Sequence, residues 1–230
     1  MKKTLLFALA LAVIPVGVDA QVTPSASCAD ITASSALEDV RSCAEQGYAV
    51  AQTRLGRMHA TGEGVPEDYA EAIRWFRLAA EQGNALAQNG LGVMHSEGWG
   101  VPEDYAEAAR WYRLAAEQGY AAAQSNLGLM YIYGSGLPQD YAEAARWVRL
   151  AAEQGDADAQ YLLGFLYDNG EGVVEDNVLA YMWYNLAADQ GSEIALDNKD
   201  IVEQRMTREQ IAEAQRLSRE WLEAHPPGGN

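Results

Sequence analysis

The sequence contains few lysines, histidines and cysteines, and each shortage excludes a class of function. Its 230 residues include 16 lysines and arginines against 33 acidic residues, which gives a net charge of −17. An acidic chain without a basic tract repels phosphate backbones and anionic membrane surfaces, so we expect no nucleic-acid partner. Only three histidines are present, and no cysteine or carboxylate recurs beside them at ligand spacing. The sequence therefore predicts neither a metal site nor a cofactor.

Long apolar runs are also absent, except at the start of the chain. Residues 1–20 have the pattern of a secretory signal peptide, with Lys2 and Lys3 before an apolar stretch and a small-residue cleavage site ending at Ala20. The apolar stretch is too short and interrupted to be a good membrane-spanning helix. We expect an exported protein, periplasmic or extracellular, that is monomeric and has no stable membrane insertion after signal cleavage.

The two cysteines, Cys28 and Cys43, lie close together after this signal. In an oxidising compartment they are expected to form a disulfide. On one continuous helix they would lie about 22 Å apart, beyond bonding range. A bridge therefore predicts that a helix begins after about Ser34, capped by Ser34-Ser35, with Cys28 folded back along it. Lipidation of Cys28 is the alternative, which the sequence disfavours because no aliphatic residue precedes it at lipobox spacing.

A tripeptide, Glu-Gln-Gly, recurs along the chain every 36 residues. Four copies begin at Glu45, Glu81, Glu117 and Glu153, and an altered copy begins at Asp189. A period of this length is typical of solenoids, in which stacked units bury apolar faces that no single unit could bury alone. The period favours an extended binding surface, and hence a scaffold over an enzyme.

Each period contains two helical patterns, which we call helix A and helix B. In the first copy, Ala51, Leu55 and Met58 mark the buried face of helix A. Helix A ends at a Gly-x-Gly pair, here Gly62 and Gly64, because glycine readily adopts the positive φ that stops a helix. This pair resembles a phosphate-binding loop only superficially, since no Lys-Ser/Thr follows it and no strand pattern precedes it.

Helix B follows the glycine pair. Pro66-Glu67-Asp68 is predicted to form its first turn, where proline and acidic residues are favourable. Its predicted apolar positions include Ala72, Trp75, Leu78 and Ala79. The tryptophan recurs in each repeat, as Trp75, Trp111, Trp147 and Trp183. At this helical spacing, a row of tryptophans indicates core packing and not a sugar-binding surface.

The pattern A-x-A-Q-x-x-L-G-x-M-[HY]-x-x-G-x-G-V-P-x-D-Y-x-E-A-x-R-W-x-x-L-A-A-E-Q-G resembles the Sel-1-like repeat, a relative of the tetratricopeptide repeat. The resemblance covers four units, at 48–83, 84–119, 120–155 and 156–191. It implies an all-α fold, a right-handed α-solenoid of antiparallel helix pairs, and a role as an adaptor for protein complexes.

Three segments flank the full repeats after the signal. Residues 21–47 are predicted to form an amino-terminal cap that contains a half repeat and the disulfide. Residues 192–225 are predicted to form carboxy-terminal capping helices, with a capping box that starts at Thr207. Residues 226–230 are predicted to be a disordered tail.

The candidate partner-binding surface consists of helix A positions that vary between the four copies. In the first copy these are positions 50, 53, 54, 57, 60 and 61, whose spacing places them on one helical face. The resemblance implies that helix A lines a concave surface. The residues predicted to contact a protein or peptide ligand are Arg54, Arg57, Asn89, Val93, Glu97, Asn126, Leu129, Ile132, Tyr133, Tyr161 and Phe165.

Two alternatives remain open within that surface. Leu162 and Phe165 could line an apolar groove suited to a peptide or to a protein edge. They could equally pack under the helices predicted at 192–224. Tyr133 and Ile132 lie farther from the carboxyl end, so they are the better candidates for partner contact.

Catalysis is not predicted, and no residue is assigned a catalytic role. A cysteine-rich secreted branch of the resembling family is associated with β-lactam binding and hydrolysis, but its cysteine pair in each repeat is missing here. No Ser-x-x-Lys motif occurs. A β-lactam-hydrolysing enzyme and an envelope structural or regulatory adaptor are the alternatives to a protein-binding scaffold.

Overall fold

The computed structural model describes residues 28–32 and 34–226, and these residues form eleven α-helices and one short 3-10 helix, without a strand. The predicted signal peptide at 1–20 lies outside the described residues, as does most of the predicted tail at 226–230. Among the described helices, none is long and apolar enough to cross a bilayer.

The first α-helix lies in the predicted half repeat, and the next eight lie in the four predicted full repeats as alternating A and B helices. In chain order they are α1 (Leu37–Glu45), α2 (Ala49–Thr61), α3 (Tyr69–Glu81), α4 (Ala85–Glu97), α5 (Tyr105–Glu117), α6 (Ala121–Tyr133), α7 (Tyr141–Glu153), α8 (Ala157–Asn169), α9 (Asn177–Asp189), α10 (Glu193–Glu203) and α11 (Arg208–Ala224). The 3-10 helix, Cys28–Asp30, precedes α1.

The described helices belong to two compact units, divided after Gln118. In the N-terminal unit, each of the helices α1 to α4 contacts the next helix along the chain. In the C-terminal unit, α6 to α10 contact one another in the same consecutive way, and α11 contacts α9. Each unit is thus a stack of antiparallel helix pairs, and the fold class is an all-α solenoid, as predicted.

The acidic residue before each full-repeat helix B is its N-cap. The Asp68 side chain accepts a hydrogen bond from the Glu71 amide at 3.0 Å. The equivalent caps are Asp104, Asp140 and Asp176. Such a cap contributes about 1 kcal/mol by satisfying an amide that the helix leaves unpaired. The prediction that Pro66 lies in the first helical turn is wrong, because α3 begins only at Tyr69.

A glycine in the middle of helix A allows helix B to pack closely. A Cβ added to Gly92 would lie 2.5 Å from two atoms of the Tyr112 ring, and one added to Gly128 would lie 2.4 Å from Val148 Cγ2. Both distances are far below van der Waals contact. Glycine at this position therefore admits a larger side chain from the partner helix of the same repeat.

The glutamine of the Glu-Gln-Gly tripeptide in each full repeat, or of Asp-Gln-Gly in the fourth, pairs with a buried glutamine of helix A. Gln82 Nε2 donates to Gln52 Oε1 at 2.7 Å, and Gln52 Nε2 donates to the Ala44 carbonyl at 3.2 Å. The same pairing joins Gln118 to Gln88, Gln154 to Gln124, and Gln190 to Gln160. The tripeptide is therefore more than a helix stop, since its amide also fixes helix B against helix A.

The cysteines form the predicted disulfide. Cys28 and Cys43 are bridged with a Cα–Cα distance of 5.3 Å, and α1 begins at Leu37, after the position that the bridge required. Ile31, in the segment held by this bridge, is buried in the same core cluster as Val40. The predicted Ser34-Ser35 cap is wrong, because the N-cap is Ala36, which makes no side-chain cap hydrogen bond.

The last helix folds onto the fourth repeat. Thr207 and Gln210 form the predicted capping box at the start of α11. Leu217 and Trp221 pack against the core of the C-terminal unit, and the Trp221 ring meets Trp183 edge-on at a centroid distance of 6.2 Å. These contacts bury part of one face of α11 against the fourth repeat; that α11 caps the stack stays a prediction.

Candidate functional site

The predicted surface residues of the N-terminal unit lie on α2 and α4. Arg54 forms an ion pair with Glu63 at 3.0 Å, and its side chain is only 10% exposed. Arg57 is half-buried. The guanidinium of Arg54 is therefore held by an intrachain carboxylate, while Arg57 lies on the same face of α2 one turn later.

On α4, Asn89 and Glu97 are half-buried, but Val93 is only 1% exposed. The prediction that Val93 lies on the partner-binding surface is therefore wrong. Helix α4 is flanked by α2, α3 and α5, and a valine side chain is too short to reach beyond its neighbours. Burial, and secondarily the nearby Glu103 carboxylate, raises the pKa of Glu97 above its usual value. One Glu97 oxygen is also buried without a hydrogen-bond partner among the described residues.

In the C-terminal unit, Tyr133 at the end of α6 is 49% exposed. Its neighbour Ile132 is 4% exposed and belongs to the core, so its placement on the binding surface is wrong. Successive residues of a helix point about 100° apart, so one faces solvent while the other faces the core. Asn126 is also buried, so the prediction that it lies on the binding surface is wrong as well. Leu129 is half-buried and packs against the core.

The alternatives for Leu162 and Phe165 are decided by packing. Leu162 is buried in the core that α6 to α9 share. Phe165 and Tyr161 are half-buried and pack against a cluster that includes Val202 of α10. The Tyr161 ring lies 5.8 Å from that of Tyr184, centroid to centroid. Leu162 is therefore a core residue. Tyr161 and Phe165 pack against both clusters, so only their exposed edges can meet a ligand.

One apolar position of helix B is exposed, which contradicts the predicted place of Leu78 in the core. Leu78 and Leu114 in the N-terminal unit, and Leu150 in the C-terminal unit, are all exposed. Leu78 lies four residues after Arg74, which pairs with Glu71 on the outer face of α3. Residues four apart share a helical face, so the Glu-Arg pair is the sequence signal that places this leucine outside.

His59 and His95 are half-buried, and their Nδ1 atoms have no hydrogen-bond partner among the described residues. Across the described ranges, no group of three or more His, Cys, Asp or Glu side chains has the geometry to hold a metal ion. The two surfaces carry an arginine and a carboxylate on α2 and α4, and an exposed aromatic ring on α6.

Comparisons with known proteins agree with this architecture. The family model described as Sel1 repeat matches residues 49–84, 85–120, 121–156 and 157–192. Each match begins one residue after the repeat boundary predicted from the sequence. Among curated proteins, none matches the chain.

Two solved structures are similar over most of the chain. A protective antigen of uropathogenic Escherichia coli, which displays an SLR fold, is 38% identical with a TM-score of 0.76, covering 81% of this chain and 40% of its own. A Sel1 repeat protein from Oxalobacter formigenes is 36% identical with a TM-score of 0.69, covering 81% of this chain and 78% of its own. The chain thus spans two fifths of the Escherichia coli antigen. With four family matches and these likenesses, the chain belongs to the Sel1 repeat family.

Proposed function

We propose that this protein is a non-enzymatic, exported scaffold that binds another protein or a peptide through the exposed face of its A helices. Sel1 repeat proteins are generally protein-interaction scaffolds. The observation that carries the proposal is Tyr133, a tyrosine that remains about half exposed at the end of a well-packed helix. Tyrosine is enriched among the residues that dominate binding energy, because it combines a large apolar ring with a polar end.

The proposed surface is smaller than the one predicted from the sequence. It consists of Tyr133 and the exposed edges of Leu129 and Tyr161 in the C-terminal unit. A second patch lies in the N-terminal unit and consists of Arg57, Asn89 and Glu97. Arg54 is left out of this patch, because its largely buried side chain forms an ion pair with Glu63.

Export is supported by the disulfide together with the predicted signal peptide. Disulfides persist in oxidising compartments and are rare in the cytosol. We therefore expect the partner in the periplasm or outside the cell.

Photo-crosslinking tests the proposed face directly. A photoreactive phenylalanine analogue replaces Tyr133 in one variant and Tyr48 in another, because Tyr48 is a tyrosine of similar exposure, 46%, at a helix N-cap. The proposal predicts a discrete crosslinked partner from position 133 and none of that size from position 48. Equal crosslinking from both positions would reject the face as the binding surface.

A further inference from the structure

A cleft in the C-terminal unit lies outside the proposed helix A surface. One wall is a single face of α7 and the other is the loop after α8. The lining residues are Ala142, Ala145, Arg146, Arg149, Leu150, Gly172 and Val173. The α7 members are spaced as neighbours on one helical face. The cleft therefore combines an apolar floor with two arginines.

The loop wall is held tightly against α7. Gly172 has a φ of +73°, and a Cβ at this position would lie 2.0 Å from the Tyr141 carbonyl oxygen. Any side chain here would collide with the backbone. The loop is also anchored by the Asp176 amide, which donates to the Tyr167 carbonyl at 3.0 Å. The cleft is thus bounded by fixed backbone.

The N-terminal unit shows what fills the corresponding space. There, Ile73 takes the place of Ala145, and its Cδ1 lies 3.1 Å from a Cβ built on Gly100. Trp99 takes the place of Glu171, and its ring stacks on Tyr69 at 5.5 Å. The smaller Ala145 leaves room between α7 and the loop that an isoleucine would occupy.

The two arginines of the cleft differ in their partners. Arg146 is paired with Glu143 at 2.7 Å and lies over the Trp147 ring. Arg149 donates to the Tyr167 hydroxyl at 2.9 Å and belongs to none of the ion pairs among the described residues. A neutral hydroxyl orients Arg149 without neutralising it, so its charge is available at the mouth of the cleft.

We propose that this cleft binds the carboxyl terminus of a peptide whose last side chain is apolar. The planar guanidinium of Arg149 has the donor geometry to bind a carboxylate with two parallel hydrogen bonds. Ala145, Leu150 and Val173 provide an apolar floor for the last side chain. The positive charge that attracts the peptide carboxylate is that of Arg149 alone, because the chain as a whole has a net charge of −17 and disfavours anions. This site does not depend on the helix A surface.

The test uses the full-length mature protein and N-acetyl-Gly-Ala-Leu, with the same peptide as a carboxyl amide for comparison. Binding is followed by the NMR shifts of the Val173 methyl groups. We expect the free acid to bind about tenfold or more tightly than the amide, since a charge-assisted pair is lost in the amide. Arg149→Ala and Ala145→Ile should each abolish that preference.

Arg77→Ala is the matched control, because Arg77 is the counterpart of Arg149 in the N-terminal unit. This variant should bind the peptide as the unchanged protein does. Equal affinity for acid and amide would overturn the proposal, as would equal losses from Arg77→Ala and Arg149→Ala. An absence of Val173 shifts at about 10 mM peptide would also overturn it, because specific contacts are tighter than that.

Discussion

Gln82 donates a hydrogen bond to the buried carbonyl oxygen of the Gln52 side chain at 2.7 Å, across helices α3 and α2. The Nε2 atom of Gln52 in turn donates a hydrogen bond to the Ala44 carbonyl near the end of α1. Two side chains thereby join three successive helices. This explains why the glutamine recurs in every repeat, whereas a helix stop alone would need only the glycine.

Gln82→Ala is therefore expected to destabilise the protein by about 1–3 kcal/mol, because it leaves the buried Gln52 oxygen without its donor. The free energy of unfolding, from denaturant titration, is the measurement. Gln46→Ala is the control. Gln46 occupies the equivalent position in the Glu-Gln-Gly copy that begins at Glu45, but its side chain donates to Ser42 of the preceding helix turn. Equal effects of the two substitutions would contradict the proposed amide pairing.

Gly128→Ala is expected to destabilise the protein by about 1–3 kcal/mol through overpacking against Val148. In a Val148→Ala background the colliding methyl group is gone, so the same change should cost little or become favourable through better helix propensity. A double-mutant cycle of unfolding free energies measures this coupling. Additive effects would show that the contact does not explain the glycine.

Glu97→Gln is expected to stabilise the protein at neutral pH. Burial raises the pKa of Glu97 in the folded state, so the folded protein binds a proton more tightly than the unfolded chain. Stability is then highest below the unfolded pKa and falls as the pH rises through the raised folded pKa. The variant should lose that part of the pH dependence, measured by thermal melting from acidic to neutral pH. If the pH profile of stability were unchanged in this variant, the raised pKa of Glu97 would be contradicted.

The sequence predicts the repeated architecture well because the period and the glycines that end the helices can be recognised in the chain itself. The disulfide is predictable from the oxidising compartment that the signal pattern implies, and the capping box is predictable from the spacing of Thr207 and Gln210. Burial is harder to predict, since variation between copies does not distinguish a surface position from a core position whose neighbours compensate. Val93 and Ile132 are such cases, while Leu78 recurs and yet is exposed. The burial of a residue depends on which helices of neighbouring repeats flank it, and the sequence of a single repeat does not specify those neighbours.

The affinity of the crosslinked partner for Tyr133→Ala, compared with Tyr48→Ala, tests the central claim most directly. Both substitutions remove a tyrosine of similar exposure, so general surface effects should cancel. The account predicts that Tyr133→Ala weakens binding by about tenfold or more while Tyr48→Ala leaves it unchanged, with both melting curves close to that of the unchanged protein. Undiminished binding by Tyr133→Ala would contradict it.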